Sequence, residues 1–317
     1  MNTLENIQNN FKATSGKITR AEYYLGNRRR ADDLSMAYQL IISVLLLFNL
    51  SLVPHAFPFL IGHLLIVFLL WYLPYGSANR LFTFVRFWNP ILIVPFNFAE
   101  LHYLVHVIRP HDLDASLIKI DYALFGVHPT VWLEHLMNPI LTEYLQIVYS
   151  TFYFLPLTLA LLLYCKNRLE ELDYFTLIMV YGFYLSYFGY FFVPAVGPRY
   201  ALNYLQTVPV SGLWLTHFIR HTLDTLEHVQ RDAFPSGHTA MTLLTMYFAY
   251  RYHKKYFYVL LIIGTSLIFS TVYLRYHYVI DVIGGFILAV WVIVTAPFLY
   301  RILLRLPRTA KSSIFRS

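Results

Sequence analysis

The sequence predicts an all-α integral membrane protein, a polytopic helical bundle of about eight spans within a range of six to eight. Three observations carry this. Of the 317 residues, 58% are apolar and only 13% are charged, about half the roughly 25% of an ordinary soluble domain. The apolar residues fall into runs of roughly 20, the length at which a helix crosses a hydrocarbon core of ~30 Å. Lys and Arg collect in the connections between those runs. A soluble globular enzyme is excluded. The net charge of +7 does not point to nucleic acid, because the basic residues form no single patch with interleaved aromatics.

Taken in order, the runs lie near 36–54, 58–75, 87–107, 139–164, 173–195, 236–252, 257–275 and 279–300. The third is the weakest. Asn89, Pro90, Pro95, Asn97, Glu100 and His102 interrupt it, so it is expected to be broken or re-entrant. The stretch before the first run is mostly polar, holds Arg28, Arg29 and Arg30, and lacks a small-residue cleavage site, so it reads as a cytoplasmic segment. The expected organisation is a cytoplasmic segment over 1–35, accessory spans over 36–107, a catalytic membrane domain over 108–300 and a basic cytoplasmic tail over 301–317. No internal repeat divides it. The single cysteine, Cys165, excludes an intrachain disulfide framework and a Cys-based metal centre, and reads as a packing residue.

With eight crossings, 18 of the 24 Lys and Arg residues fall in one set of connections. The other side keeps Arg109, Lys119, Arg199, Arg220, Arg231 and Arg275, which the positive-inside bias makes the exoplasmic, periplasmic or lumenal side, with both termini cytoplasmic. The same assignment puts 11 of the 13 histidines at the outer face, all but His63 and His253. Histidine titrates near neutrality and does acid–base and nucleophilic work, so the chemistry is expected to face outward. Two outer connections are long. In residues 196–235, Leu215, Phe218, Ile219, Leu223 and Leu226 share one helical face and His217, His221, Asp224 and His228 the other, which suits a helix lying in the interface or a lid over a site.

Three outer segments carry chemistry. Pro235-Ser236-Gly237-His238 starts a span, where exposed N–H groups form an anion site, Gly lets a phosphate come close and His238 sits beside a bound oxyanion. His277 and Asp281 are four residues apart, so on a helix the carboxylate can accept one imidazole N–H and leave the other nitrogen as a nucleophile. The same spacing also suits a buried polar pair or a metal site, but no third ligand stands at a fixed spacing. Arg199 and Arg275 offer guanidinium forks for phosphate oxygens, or snorkel to head groups. Together these groups point to phosphoryl transfer.

These segments resemble the type 2 phosphatidic acid phosphatase (PAP2) superfamily, whose motifs run roughly K-x6-RP, PSGH and SR-x5-H-x3-D. Pro235–His238 matches the second motif, and His277-x3-Asp281 the end of the third. The third-motif Arg position is Thr271, the first-motif Lys position is Phe192, and Pro198-Arg199 reverses the family order. This pattern, with Ile120-Asp121-Tyr122-Ala123-Leu124-Phe125-Gly126 upstream, is similar to the inositol phosphorylceramide synthase-like branch. The resemblance covers roughly 110–300. It implies a helical bundle with a PAP2-like core and no metal or other cofactor. It makes His277 a nucleophile forming a phosphohistidine, Asp281 its orienting partner, and His238 the acid that protonates the leaving oxygen and then activates the acceptor. Arg199, Ser236, Gly237 and Arg275 would bind substrate.

The expected function is a lipid phosphotransferase of sphingolipid or phospholipid metabolism. Its partners are a membrane lipid with a phosphorylated head group and either a lipid alcohol or water as acceptor. A lipid phosphate phosphatase with the same site is the alternative. A non-catalytic lipid-binding or transport protein, with Glu100 and His102 on its path, is the reading from another class.

Overall fold

The computed structural model describes residues 28–75, 80–227 and 229–304, and among them every regular element is a helix. In chain order these are α1 (Arg30–Phe48), α2 (Ala56–Tyr72), α3 (Arg80–Trp88), α4 (Pro90–Ile108), α5 (Asp114–Phe125), α6 (Pro129–Trp132), α7 (Pro139–Ser150), α8 (Phe154–Cys165), α9 (Leu169–Phe192), α10 (Pro198–Ala201), α11 (Leu215–Glu227), α12 (Gly237–Tyr252), α13 (Lys254–Tyr273) and α14 (Val279–Leu304). The segment up to residue 27, the tail from 305, His228 and the side chain of Leu226 lie outside the described residues.

All eight apolar runs are helical, but among the described residues six stretches are long and apolar enough to cross a membrane, or seven if α7 and α8 form one bent span. α12 has 16 residues, short for a span. The third run is a clean candidate after all. With α3 it forms a 28-residue apolar stretch, Leu81–Ile108, and Pro90 sits in the first turn of α4, where its missing N–H leaves no bond unmade. The sharp bend falls instead between α7 and α8, at 47°. There Ser150 and Thr151 hydroxyls donate to the Ile147 and Val148 carbonyls, and Pro156 has no N–H for the preceding turn.

α9 is the hub, two-thirds buried and packed against α1, α4, α8, α12 and α14. Its Leu172, Phe175 and Met179 join Leu159, Leu244 and Val292 in the main core. Gly189 of α9 is required by a close approach: a Cβ there would stand 2.3 Å from Pro235 Cδ. Cys165 does not pack. It is exposed at the end of α8, because that helix buries Leu159 and Leu163 on its other face.

α1, α2 and α4 build a second apolar cluster with α9, separate from the one that α12 joins. Tyr38 stacks on Tyr184 at 4.0 Å, and the fully buried His63 bonds Gln39 and pairs with Glu100 at 2.7 Å. Buried ionisable groups in a membrane need such partners. His102 is exposed, so Glu100 and His102 do not share a path. At the far end of the bundle from the histidine site, Arg29 donates to Asp173 and to the Arg86 carbonyl, both at 2.6 Å, tying the start of α1 to α9 and α3.

Candidate active site

The C-terminal ends of α9 and α13 and the N-terminal ends of α12 and α14 meet at one end of the bundle, bringing the three sequence segments together. Ser236 is the N-cap of α12. Its Oγ accepts the Thr239 N–H at 3.2 Å, and its own N–H donates to the Asp281 carbonyl at 2.9 Å. Its backbone donor and one acceptor site of its hydroxyl therefore serve the fold. A Cβ on Gly237 would stand 2.7 Å from Tyr190 Oη, so the glycine allows the close approach of that tyrosine.

His238, on the first turn of α12, is held by two aromatic rings that the sequence did not single out. Tyr149 of α7 stacks on it at 4.7 Å and 25°, and Phe152 lies at 4.2 Å. Tyr149 also stacks on Tyr276 at 4.3 Å and 12°.

His277 lies in the short turn between α13 and α14, 3% exposed. Its Nδ1 stands 2.8 Å from the Ala233 carbonyl, while Asp281 Oδ2 is 3.5 Å away. The expected partner of the imidazole N–H was Asp281. Here the carbonyl is nearer, and Asp281 Oδ2 accepts the Tyr278 N–H at 2.7 Å. With a proton on Nδ1, Nε2 keeps its lone pair, and it faces His238 Nδ1 at 3.5 Å. Burial pulls His277 down to about 4, against Asp232 and the Ala233 bond, which raise it. At neutral pH the ring is uncharged.

Two carboxylates of α5 brace this arrangement. Asp121 accepts the Val279 and Ile280 N–H groups at 2.9 and 2.8 Å, capping the helix that carries Asp281. Asp114 accepts Val196 N–H, Gly197 N–H and Tyr278 Oη–H, fixing the loop that leads to Arg199. Gly197 has φ +83°, and a Cβ there would meet the Tyr276 carbonyl at 2.6 Å.

The two expected phosphate-binding arginines part company. Arg199 lines the histidine pocket but is engaged by Asp224 of α11 through two bonds of 2.6 and 2.7 Å. Arg275 does not reach that pocket. Its φ of +67° turns the chain, and its guanidinium donates to Glu134 and the Val208 carbonyl at 2.6 Å and to Gln206 at 3.2 Å. Arg220, one turn before Asp224 on α11, lies within electrostatic reach of Arg199, Tyr276 and Asp224. α11 is anchored by Glu143, which accepts the Leu213, Trp214, Leu215 and Thr216 N–H groups. Its Ile219 and Leu223 pack on protein, whereas Leu215 and Phe218 of the same apolar face are exposed.

Two cavities meet here. A polar pocket of about 150 Å³ is lined by His238, His277, Arg199, Asp224, Asp232 and Tyr276, among others. An apolar cavity of about 250 Å³ runs between α4, α8 and α9, from Trp88 and Leu172 up to Gly237 and His238. His238 and Asp232 line both. Asp232 gave no motif to find, being a single acid in a loop. Burial raises it to about 6.

The sequence profile of the PAP2 superfamily matches residues 115–295, more than half of the chain. The chain belongs to the PAP2 superfamily. Over 96 residues it is also 31% identical to a PA-phosphatase related-family protein of Dictyostelium discoideum, a stretch that is 29% of this chain and 17% of that relative. The chain thus aligns with less than a fifth of the relative's length. No solved structure matches significantly. The matched PAP2 region holds both histidine motifs and also the position of the missing third-motif arginine. There Thr271 is fully buried, and its carbonyl accepts the Tyr276 and His277 N–H groups at 2.9 and 3.0 Å. Phe192, at the first-motif lysine position, is 66% exposed.

Proposed function

We propose that this PAP2 protein is a membrane lipid phosphoesterase that forms a phosphohistidine on His277 and moves a phospho-head group from one lipid to the hydroxyl of a second, at the outer face of the membrane. The observation that carries this is the meeting of a polar pocket and an apolar cavity at His238. An amphipathic substrate with its phosphate beside Arg199 and its chain in the apolar cavity puts the scissile oxygen next to His238. Membership of the superfamily supports a lipid phosphatase-type activity. Transfer between lipids, and the branch similar to inositol phosphorylceramide synthases, belong to the proposal alone.

In the first step His277 Nε2 attacks phosphorus, the bond from phosphorus to the lipid oxygen breaks, and His238, entering the step as the imidazolium, gives one proton to that oxygen and is left neutral. In the second, the acceptor hydroxyl attacks phosphorus, the N–P bond breaks, and His238 takes the hydroxyl proton. Ala233 and Asp281 hold the Nδ1–H side of His277 throughout. The charge that spreads over the phosphoryl oxygens is met by Arg199, with Arg220 in reach. Hydrolysis is the second reading. It is favoured by the rim of the polar pocket, where the Asp224 side chain is 41% exposed and water has access.

Purified protein incubated with labelled phospholipid, with and without candidate lipid alcohols, tests this. Label passing into a new lipid in proportion to the alcohol supports transfer. Free phosphate or phosphate ester as sole product, at a rate indifferent to every alcohol, makes the chain a hydrolase. No turnover of any lipid phosphate returns it to the binding or transport class.

A further inference from the structure

The steps above leave Asp232 without a task, although it shares with His238 the junction of the two cavities. Its position is fixed from both sides. Arg231 before it donates to Asp112 at 2.9 Å. Ala233 after it donates to the Ala195 carbonyl at 3.3 Å and holds His277 Nδ1 with its own carbonyl. Among the described residues no side chain is seen to donate to the Asp232 carboxylate, whose donor is its own backbone N–H. An ionised carboxylate only accepts hydrogen bonds, and one that faces an apolar cavity is costly unless a donor is supplied. Its own backbone N–H supplies one donor and water can reach it from the polar pocket, but on the side of the apolar cavity a further donor can come only from what occupies that cavity.

Lipid phosphates differ at this place. A fully esterified glycerol backbone offers only acceptors beside the phosphoester, whereas a backbone with a free hydroxyl or an amide N–H offers a donor. We propose that Asp232 is a specificity-determining residue: its carboxylate accepts a hydrogen bond from a hydroxyl or amide N–H that the lipid carries next to the phosphoester, so that lipids with such a donor are taken in preference to fully esterified ones. This rests on the phosphoesterase reading given above, and it names the lipid backbone that the reading leaves open. A site built around a hydrogen bond rejects the analogue that lacks it, by ~10⁴ where the site is fully buried. Asp232 is half-buried, so the expected discrimination is about tenfold.

The test uses the full chain in detergent at pH 8, where Asp232 is ionised, and a matched pair of probes: a 1-acyl glycerol 3-phosphate with a free 2-hydroxyl, and its 2-O-methyl ether. The wild type should favour the free hydroxyl by about tenfold in kcat/KM. Asp232→Ala should bring the ratio to about one, and Asp232→Asn, which keeps one acceptor oxygen, should retain part of it. The wild-type ratio needs no variant, so a variant that fails to fold does not shield the proposal. A wild-type ratio near one overturns it. So does an Asp232→Ala protein that loses both probes equally with the ratio intact, which would assign Asp232 to the chemistry. If the wild type turns over neither probe nor any other lipid phosphate, the phosphoesterase reading itself fails and this proposal falls with it.

Discussion

His277 Nε2 stands 3.5 Å from His238 Nδ1, with the two rings at 61°. That distance is at the outer edge of a hydrogen bond, so the nucleophilic lone pair is only weakly engaged. The opposite nitrogen is held firmly by Ala233. His277 is therefore oriented from behind, and its free nitrogen faces His238.

Protonating Nε2 removes that lone pair, so activity should fall as pH drops through the pKa of His277. Burial places this near 4, well under the ordinary 6.5. In formation of phosphoenzyme from a phosphodiester lipid, whose own charge does not change over the range, the acid-side limb set by His277 should therefore lie near pH 4, separate from the fall on the alkaline side set by loss of the proton that His238 has to give. A limb at 6.5 would mean that His277 is solvated.

Asp232 gives a stability prediction of opposite sign. Its folded pKa, about 6, lies above the ordinary 3.8, so the folded state prefers the protonated acid. The stability that this provides is complete below 3.8 and is lost as pH rises through 6. Asp232→Asn should therefore raise the melting temperature at pH 8 and leave it nearly unchanged at pH 3.5. Equal shifts at both pH values would show that the gain is not electrostatic.

Asp121→Ala uncaps α14. Losing the acceptor for two helix N–H groups should cost about 1–2 kcal/mol, and turnover should fall as well because Tyr278 and Asp281 shift with that helix end. Thermal melts and kcat measured together check this. Asp121→Asn, which keeps one acceptor, should lie between.

Much of the site was legible because it is local in sequence: Pro235 to His238 is a helix start, and His277 to Asp281 is one helical turn. The contacts that were not foreseen are non-local, even where the residue itself, as with Asp121, stood in a segment the sequence singled out. Asp121 acts on N–H groups 158 and 159 residues away, and Tyr149 reaches His238 from a different helix, as one aromatic among many in an apolar run. Arg199 and Arg275 looked equivalent in sequence. They separate because the positive φ of Arg275 sends its side chain to Glu134 and the 206–208 loop, a geometry that no spacing announces. The eight apolar runs were found, but not the bend, since hydropathy continues through Ser150–Tyr153.

Those different places predict different phenotypes. Arg199→Lys should weaken vanadate inhibition by about tenfold, because a point charge replaces a bidentate fork. Arg275→Ala should lower the melting temperature and change vanadate affinity little. Equal loss of vanadate affinity in both would return Arg275 to the phosphate. Activity should survive EDTA, since guanidinium groups are proposed to bear the charge. Loss on chelation, restored by one added metal, would contradict this.

Orientation is testable in intact cells. In a Cys165→Ser background, a cysteine placed at Lys254, in the connection between α12 and α13, should resist a membrane-impermeant thiol reagent, and one placed at Thr207 should react. Labelling at 254 alone would reverse the proposed sidedness.

The most direct measurement is the covalent intermediate. Wild-type protein given phosphorus-labelled lipid and quenched in alkali should carry labelled phosphate that is stable in base and released by acid, as a phosphohistidine is, and mass spectrometry should place it on His277. His277→Ala, folded by its melting curve, should carry none and turn over nothing. Near-normal turnover by a folded His277→Ala protein, or label on another residue, would contradict the account.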